Sequence, residues 1–202
     1  KGTHQCQPQG SSLMIQVYTG NGKGKTTAAI GLAIRALGAG HRVFMMQFMK
    51  GLAYSEQGLL SAMPNMTLET SGKPFFVAEE GMMDEKARAL LGDDVVIFPK
   101  GQPPADYVAL LTSGFERVMD VMFKGDADLV ILDEINIALS FGLLQREQME
   151  KLLQNLPVEM ELVCTGRNAP QWLMDRADLI TEMREVRHYY EQGVPARKGI
   201  EN

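Results

Sequence analysis

The alternation of apolar runs with amphipathic stretches predicts strands and helices that follow one another along the chain. Short runs rich in β-branched residues indicate buried strands, and apolar residues spaced three and four apart indicate one face of a helix. Strands are predicted around 15–17 and at 42–48, 66–70, 129–132, 161–165 and 179–182. Helices are predicted after Thr26 and at 55–63, 105–123, 145–156 and 170–177. This order predicts an α/β fold with a mostly parallel central sheet and helices on both faces.

The pattern also predicts the buried face of the first helix and an irregular stretch in the middle of the chain. The first helix is expected to end at Gly38 and Gly40 and to bury an apolar face made of Ile30, Ala33, Ile34 and Leu37. Residues 71–104 are the least regular part of the chain, because prolines and glycines interrupt them. Within that part, a helix is predicted at 84–91 and an apolar run occurs at 95–98.

Length and composition favour one domain. The chain has 202 residues, of which 45% are hydrophobic, so a single core of ordinary size is expected over residues 13–202. Residues 1–12 form a polar leader that begins without methionine, and this leader is expected to be disordered or added for expression.

Charge and cysteine content exclude some classes of partner. The net charge is −5 and the isoelectric point is about 5.3, which argues against a nucleic-acid partner bound by a broad basic face. Two cysteines do not make a disulfide framework, so a reducing, cytoplasmic location is predicted. No signal peptide or apolar run of transmembrane length is recognised, so no membrane partner is expected.

A glycine-rich loop follows the first predicted strand. The sequence GNGKGKT at residues 20–26 differs from the Walker A template G-x-x-x-x-G-K-[ST], because Thr19 occupies the position of the first glycine. The order strand, glycine loop, helix is nevertheless that of a P-loop NTPase-like fold. Loop amides and a lysine bind phosphate in such loops, and the following hydroxyl binds Mg²⁺. The candidate ATP-binding residues are Asn21, Gly22, Lys23, Gly24, Lys25, Thr26 and Thr27; the alternative is an ordinary glycine-rich turn.

A second motif, DLVILDEIN, resembles a Walker B strand. Four apolar residues at 129–132 would bring Asp133 and Glu134 to the carboxyl end of a strand, near Lys25 and Thr26. Asp133 would bind Mg²⁺ or Mn²⁺ directly or through water, together with Thr26, and Glu134 would bind the metal or orient a substrate. Lys25, Asp133 and Glu134 are thus the catalytic candidates. The alternative is a strand that ends in two solvated acids.

Two further cations are candidates for ATP binding. Lys50 follows the second predicted strand and Arg167 lies in the sequence TGRN after another, so both are expected at the same edge of the sheet. The alternative for Arg167 is a surface arginine in a turn.

Together these motifs resemble the P-loop family of ATP:corrinoid adenosyltransferases. The resemblance rests on YTGNGKGKTTAAIGLAIRALGAG, QFMKG, VILDEIN, TGRNAP and the tail EVRHYYEQGVPARKGIEN, and covers residues 14–201. It implies transfer of the 5′-deoxyadenosyl group of ATP to cobalt(I) of a corrinoid, with release of triphosphate. It also implies a homodimer and an electron donor, such as a reduced flavoprotein, that reduces cobalt(II).

The sequence departs from the family pattern in places. Where members usually have an aromatic segment containing tryptophan, this chain has SGKPFFVAEEG, with Phe75 and Phe76 as corrinoid-binding candidates. The alternative is that both phenylalanines pack in the core. The segment that runs on to Pro104 is longer than usual, and the chain ends in Glu201-Asn202 without the family's final aromatic residue.

The implied chemistry agrees with the candidate residues. Cobalt(I) is a strong nucleophile, so the protein needs no activated serine or cysteine; it must align C5′ with cobalt and stabilise the leaving triphosphate. Two other classes share both motifs, namely a small-molecule kinase or ATPase and a nucleotide-dependent switch. The phosphorus product distinguishes them, because only adenosyl transfer releases triphosphate.

Overall fold

Strands and helices alternate in the computed structural model, which describes residues 14–83 and 94–201. The strands are β1 Met14–Thr19, β2 Val43–Phe48, β3 Met66–Ser71, β4 Phe76–Glu79, β5 Val95–Phe98, β6 Leu129–Asp133, β7 Glu161–Thr165 and β8 Leu179–Glu182. The helices are α1 Lys25–Gly38, α2 Ser55–Ser61, α3 Ala105–Lys124, α4 Ile135–Ser140, α5 Arg146–Gln154 and α6 Gln171–Met174, followed by a short 3₁₀ helix at Tyr189–Gln192.

Six of the strands form one parallel sheet. Their order is β3-β2-β6-β7-β1-β8, and β1 pairs in parallel with both β7 and β8. The remaining two, β4 and β5, form a small parallel pair of their own. The predicted parallel α/β fold is confirmed. Because all six strands run the same way, the residues that end β1, β6 and β7 lie at one edge of the sheet.

Helices cover both faces of this sheet, as predicted. Alternate residues of a strand point to opposite faces, so Phe44 and Met46 of β2 belong to one hydrophobic cluster and Val43 and Met45 to the other. The first cluster includes residues of α3, α4 and α5, and the second includes residues of α1 and α2.

Two sequence-based expectations need correction. The predicted apolar face of α1 is wrong at Ile34, which is 42% exposed, and right at Ala33, which is buried; Ala29, which was not predicted, is buried as well. These small side chains let α1 lie close to the sheet. Helix α4 was not predicted, since its six residues directly continue the apolar β6 segment. The leader at 1–12 and the helix predicted at 84–91 lie outside the described residues, so both remain predictions.

Among the described helices, none is both long and apolar enough to cross a membrane. The longest of them, α3, spans 20 residues but carries acidic and basic side chains along its length.

Candidate active site

The glycine loop lies at the carboxyl edge of the sheet, between β1 and α1. Lys25, the first residue of α1, is only 8% exposed, and its Nζ donates hydrogen bonds to the carbonyl oxygens of Gly20 at 2.7 Å and Gly22 at 2.8 Å. The ammonium group therefore lies inside the loop. Burial lowers the pKa of Lys25, and the nearby carboxylate of Glu134 partly opposes that shift.

Two glycines of the loop are also required by packing. The Gly22 amide donates to the carbonyl oxygen of Met183 at 2.7 Å, so the loop rests on the backbone that follows β8. A Cβ atom at Gly20 would lie 2.4 Å from that oxygen, and one at Gly22 would lie 2.7 Å from it. Gly20 also has a positive φ of 93°. Larger residues at these two positions would displace the loop.

Asp133 ends β6 with a fully buried carboxylate. Its Oδ1 accepts hydrogen bonds from the hydroxyls of Thr26 at 2.8 Å and Thr165 at 2.6 Å. Its Oδ2 lies 2.8 Å from Lys50 Nζ and 3.3 Å from Gln47 Nε2. The structure therefore brings the predicted residues Thr26, Lys50 and Asp133 together and adds Gln47 and Thr165, which the sequence analysis missed.

Lys50 is enclosed by polar and aromatic groups. Its side chain is 10% exposed, and its Nζ lies 3.8 Å from Glu56 Oε1 and 4.8 Å from the centre of the Tyr54 ring. Burial alone would lower the pKa of Lys50, but attraction to Asp133 outweighs it and the pKa is raised. Lys50 is thus a fixed cation beside the loop. One signal for this cluster was present in the sequence, because Gln47 is the polar residue of an otherwise apolar strand.

Glu134, the residue just before α4, has an unusual backbone conformation. Its φ is 61°, and its amide donates to Thr165 Oγ1 at 3.1 Å. Burial and the neighbouring Asp133 raise the pKa of the Glu134 carboxyl group. A positive φ is costly for a residue other than glycine, and the hydrogen bond to Thr165 helps to hold the backbone of Glu134 in this conformation.

Asn136 connects the end of β1, which leads into the glycine loop, with the loop that follows β7. Its fully buried Nδ2 donates to the carbonyl oxygens of Tyr18 at 3.2 Å and Gly166 at 3.1 Å. The exposed Arg167 follows Gly166, so Asn136 fixes the start of the Arg167 loop next to the end of β1. Sequence analysis missed this role, since Tyr18 and Gly166, whose carbonyl groups accept these hydrogen bonds, are distant along the chain from Asn136.

Two cavities meet at this edge. The smaller has a volume of about 300 Å³ and is lined by all seven predicted loop residues, 21–27, together with Glu134 and Arg167. The larger, of about 750 Å³, is lined by Lys50, Tyr54 and Phe76, among other residues. Thr26, Thr27, Glu134 and Arg167 line both cavities. The arrangement offers an anion-binding loop that opens beside a roomier space.

The adjacent phenylalanines point to different surroundings. Phe76 is 38% exposed and lines the larger cavity. Phe75 packs against the core, with its ring centre 6.0 Å from that of Tyr107. The structure therefore places one of the two predicted corrinoid-binding residues at the site.

The side chain of Lys23 points away from the interior of the loop. Its Nζ donates to the carbonyl oxygen of Ile200 at 2.7 Å and to Glu201 Oε1 at 3.0 Å. Lys23 nevertheless lines the smaller cavity with the rest of the loop.

Oxygen donors suited to Mg²⁺ occur side by side in this site. Within residues 14–83 and 94–201 no group of three or more His, Cys, Asp or Glu side chains could hold a metal. The Thr26 hydroxyl and the Asp133 carboxylate are in contact, however, and Mg²⁺ bound with a nucleotide takes most of its ligands from phosphate and water. The donors present thus fit a magnesium ion that arrives with ATP.

The sequence of this chain matches one protein family over nearly its whole length. A family model described as ATP:corrinoid adenosyltransferase BtuR/CobO/CobP matches residues 11–202. The corrinoid adenosyltransferase of Pseudomonas aeruginosa is 32% identical over 189 residues, which cover 93% of this chain and 83% of the relative. Corrinoid adenosyltransferase CobA of Salmonella typhimurium is 32% identical over 197 residues, covering 97% and 89%. The corrinoid adenosyltransferase of Escherichia coli K12 is 30% identical with the same coverage.

Proposed function

This chain belongs to the ATP:corrinoid adenosyltransferase family, and we propose that the site around its glycine loop is where the transfer takes place. The enzyme transfers the 5′-deoxyadenosyl group of ATP to cobalt(I) of a corrinoid. The observation that carries the assignment to this site is the pair of cavities that share Thr26, Thr27, Glu134 and Arg167. One cavity offers the donors that a triphosphate needs, and the other offers space and an aromatic side chain for a second substrate.

The electron count of the reaction shows what the residues must do. The electron pair of cobalt(I) forms the new bond to C5′, while the bond between C5′ and its oxygen breaks and its electron pair remains on triphosphate. No proton has to be removed from the nucleophile, so the protein contributes alignment and charge. The loop amides, Lys25 and the exposed guanidinium of Arg167 supply positive charge beside the smaller cavity.

A divalent metal ion fits the same charge requirement. We assign its binding to the Thr26 hydroxyl and to Asp133, directly or through water, with Glu134 as a further oxygen donor; Mn²⁺ has the same ligand preference. When bound, the ion neutralises charge on the triphosphate. Asp133 orients the Thr26 hydroxyl at 2.8 Å, and Thr165 and Lys50 hold the carboxylate in place.

The product test separates adenosyl transfer from phosphoryl transfer. Incubation with Mg-ATP and a cobalt(I) corrinoid should give a light-sensitive carbon–cobalt product and intact triphosphate in equal amounts. The amounts are measured by absorbance and by phosphorus NMR, and removal of the metal with EDTA should stop both. ADP or phosphate as the main product would contradict the proposal and favour a kinase or ATPase.

Phe76 is proposed as part of the corrinoid surface. Cobalt(II) is reduced more easily once it has lost its lower axial ligand, and an apolar side chain offers no replacement for that ligand. The ring of Phe76 lines the larger cavity beside Lys50 and Tyr54. Phe75 contacts Tyr107 in the core, so we do not include it in the proposed corrinoid-binding surface.

Replacing Phe76 with histidine should affect the two oxidation states differently. Imidazole binds metals well, so a new ligand worth about 1.4 kcal/mol to cobalt(II) would slow the reaction from that state about tenfold. Reaction from chemically pre-reduced cobalt(I) should change much less. Phe123→His is the matched control, since Phe123 is exposed near the end of α3 and lines neither cavity. Equal losses from both oxidation states would count against this role.

Three further parts of the proposal rest on the family resemblance and on cysteine content. They are a homodimer, an electron donor such as a reduced flavoprotein, and a cytoplasmic location. Sedimentation would contradict the first by giving the mass of one chain, which is 22.3 kDa. Assays that start from cobalt(II) would contradict the second if reduced flavoprotein gave no product where a chemical reductant did. Recovery outside the cytoplasmic fraction would contradict the third.

A further inference from the structure

The segment after β8 keeps a defined path without entering the hydrophobic core. We call residues 183–201 the tail segment. The members of the two hydrophobic clusters, within the described residues, extend no further than Ala177. In the tail segment Val186 is 95% exposed and Ile200 is 57% exposed. Apolar burial therefore does not account for the position of this segment.

Polar contacts connect the tail segment to the glycine loop at both of its ends. At the first end, the Met183 carbonyl accepts from the Gly22 amide at 2.7 Å. At the other end, Lys23 Nζ donates to the Ile200 carbonyl at 2.7 Å and to Glu201 at 3.0 Å. The tail segment thus starts and finishes against the same short loop.

Glu201 gathers most of the contacts at the second end. Besides Lys23, its carboxylate accepts from the Tyr189 hydroxyl and from Arg197, through Nη2 at 3.0 Å, Nε at 3.2 Å and the backbone amide at 2.8 Å. The Arg197 guanidinium also lies 4.8 Å from the centre of the Tyr189 ring. The hydrogen bonds from Arg197 and Tyr189 hold the pKa of Glu201 well below its usual range, so this carboxylate is charged at neutral pH.

The same residues form part of the cavity surface. Ile200 and Glu201 line both cavities, Gly199 lines the larger one, and His188 and Glu185 line the smaller one. A change in the path of the tail segment would therefore change the shape of both cavities. Since no member of the two hydrophobic clusters, among the described residues, lies in the tail segment, polar contacts are what the structure shows holding this wall.

We infer that Glu201 is a positioning residue for ATP binding: through Lys23, Tyr189 and Arg197 it holds the tail segment against the glycine loop as a wall of the nucleotide cavity. The inference rests on the proposed function of that cavity. Glu201 takes no part in bond making or breaking. Its loss is therefore expected to weaken ATP binding and to leave the rate of the bound complex nearly unchanged.

The test compares two isosteric charge removals in one segment. Glu201→Gln removes the charge that pairs with Lys23 and Arg197. Glu191→Gln is the matched control, because the Glu191 side chain is exposed in the 3₁₀ helix and no described hydrogen bond or ion pair involves it. In Glu201→Gln the KM for ATP should rise about tenfold with kcat within about twofold of the unchanged enzyme, as expected when binding alone is lost. The control should retain both constants.

A second measurement follows the tail segment without relying on catalysis. Trypsin cleaves after arginine and lysine, and the tail segment offers Arg184, Arg187, Arg197 and Lys198. In Glu201→Gln these sites should be cut faster than in the unchanged protein and in Glu191→Gln, while the melting temperature stays the same because the core lies elsewhere. Added ATP should slow cleavage in the unchanged protein. Arg197→Gln, with Lys198→Gln as its control, should reproduce the rise in KM.

The outcomes separate this inference from the proposed function. An unchanged KM and an unchanged cleavage rate in Glu201→Gln would overturn the inference, as would a loss confined to kcat. If the unchanged enzyme bound ATP but formed no adenosylated corrinoid, the proposed function would fail. In that case the dissociation constant for ATP and the cleavage rates would still decide the role of Glu201.

Discussion

Replacement of Lys25 with alanine is expected to lower kcat/KM for adenosyl transfer on the order of a hundredfold or more, as found when a charge-stabilising donor is removed from an active site. The ammonium group lies within the loop, bound to the carbonyl oxygens of Gly20 and Gly22. From there it can turn to the phosphate oxygens that carry the charge of the leaving group. Initial rates with cobalt(I) corrinoid measure the effect directly.

The control for this experiment is Lys151→Ala. Lys151 is an exposed lysine of α5 that lines neither described cavity, so its removal should leave the rate unchanged. Both variants should melt at nearly the same temperature. Near-normal turnover in Lys25→Ala would contradict the proposal that the glycine loop stabilises the leaving triphosphate.

Replacement of Asp133 with alanine should reduce stability as well as activity. The buried carboxylate is a proposed metal ligand, and it also accepts hydrogen bonds from Thr26 and Thr165 and pairs with Lys50. Removing one partner of a buried ion pair leaves the other charge uncompensated, which costs about 3–5 kcal/mol. The free energy of unfolding in urea should fall by this order.

A double variant identifies the cause of that loss. If the unpaired charge of Lys50 is responsible, Lys50→Met combined with Asp133→Ala should be more stable than Asp133→Ala alone. Asp126→Ala is the control, since Asp126 is exposed before the start of β6 and its loss should change stability by no more than about 0.5 kcal/mol. A double variant no more stable than the single one would assign the loss to the hydrogen bonds instead.

The sequence by itself determined the order of most of the elements and predicted a phosphate-binding role for the glycine loop. Strand and helix periodicity depend on residues a few positions apart, so the pattern predicted most strands of the parallel sheet and the long helix α3. The loop, Lys25 and Thr26 were recognisable as candidates because the loop and the helix start proposed to bind phosphate are contiguous in sequence. Asp133 and Glu134 were recognisable because an apolar strand leads directly into them.

Only the tertiary structure decided which distant residues meet. Sheet order β2-β6-β7-β1 brings Gln47, Lys50 and Thr165 to Asp133, and it lets Asn136 reach the ends of both β1 and β7. Strand order follows from how helices pack over the whole sheet, which no short window of sequence contains. The different surroundings of Phe75 and Phe76 are also a tertiary feature, since Phe75 packs against Tyr107 of α3 and Phe76, the first residue of β4, lines the larger cavity.

The contact between the tail segment and the glycine loop is the longest-range of these features. Lys23 and Glu201 are 178 positions apart in the chain, and charge alone does not say which of many lysines an acidic residue will meet. Their pairing requires β8 to lie beside β1, which sends the following backbone across Gly20 and Gly22. The sequence thus shows which charged residues are present, and the packing of β8 against β1 determines that Lys23 meets Glu201.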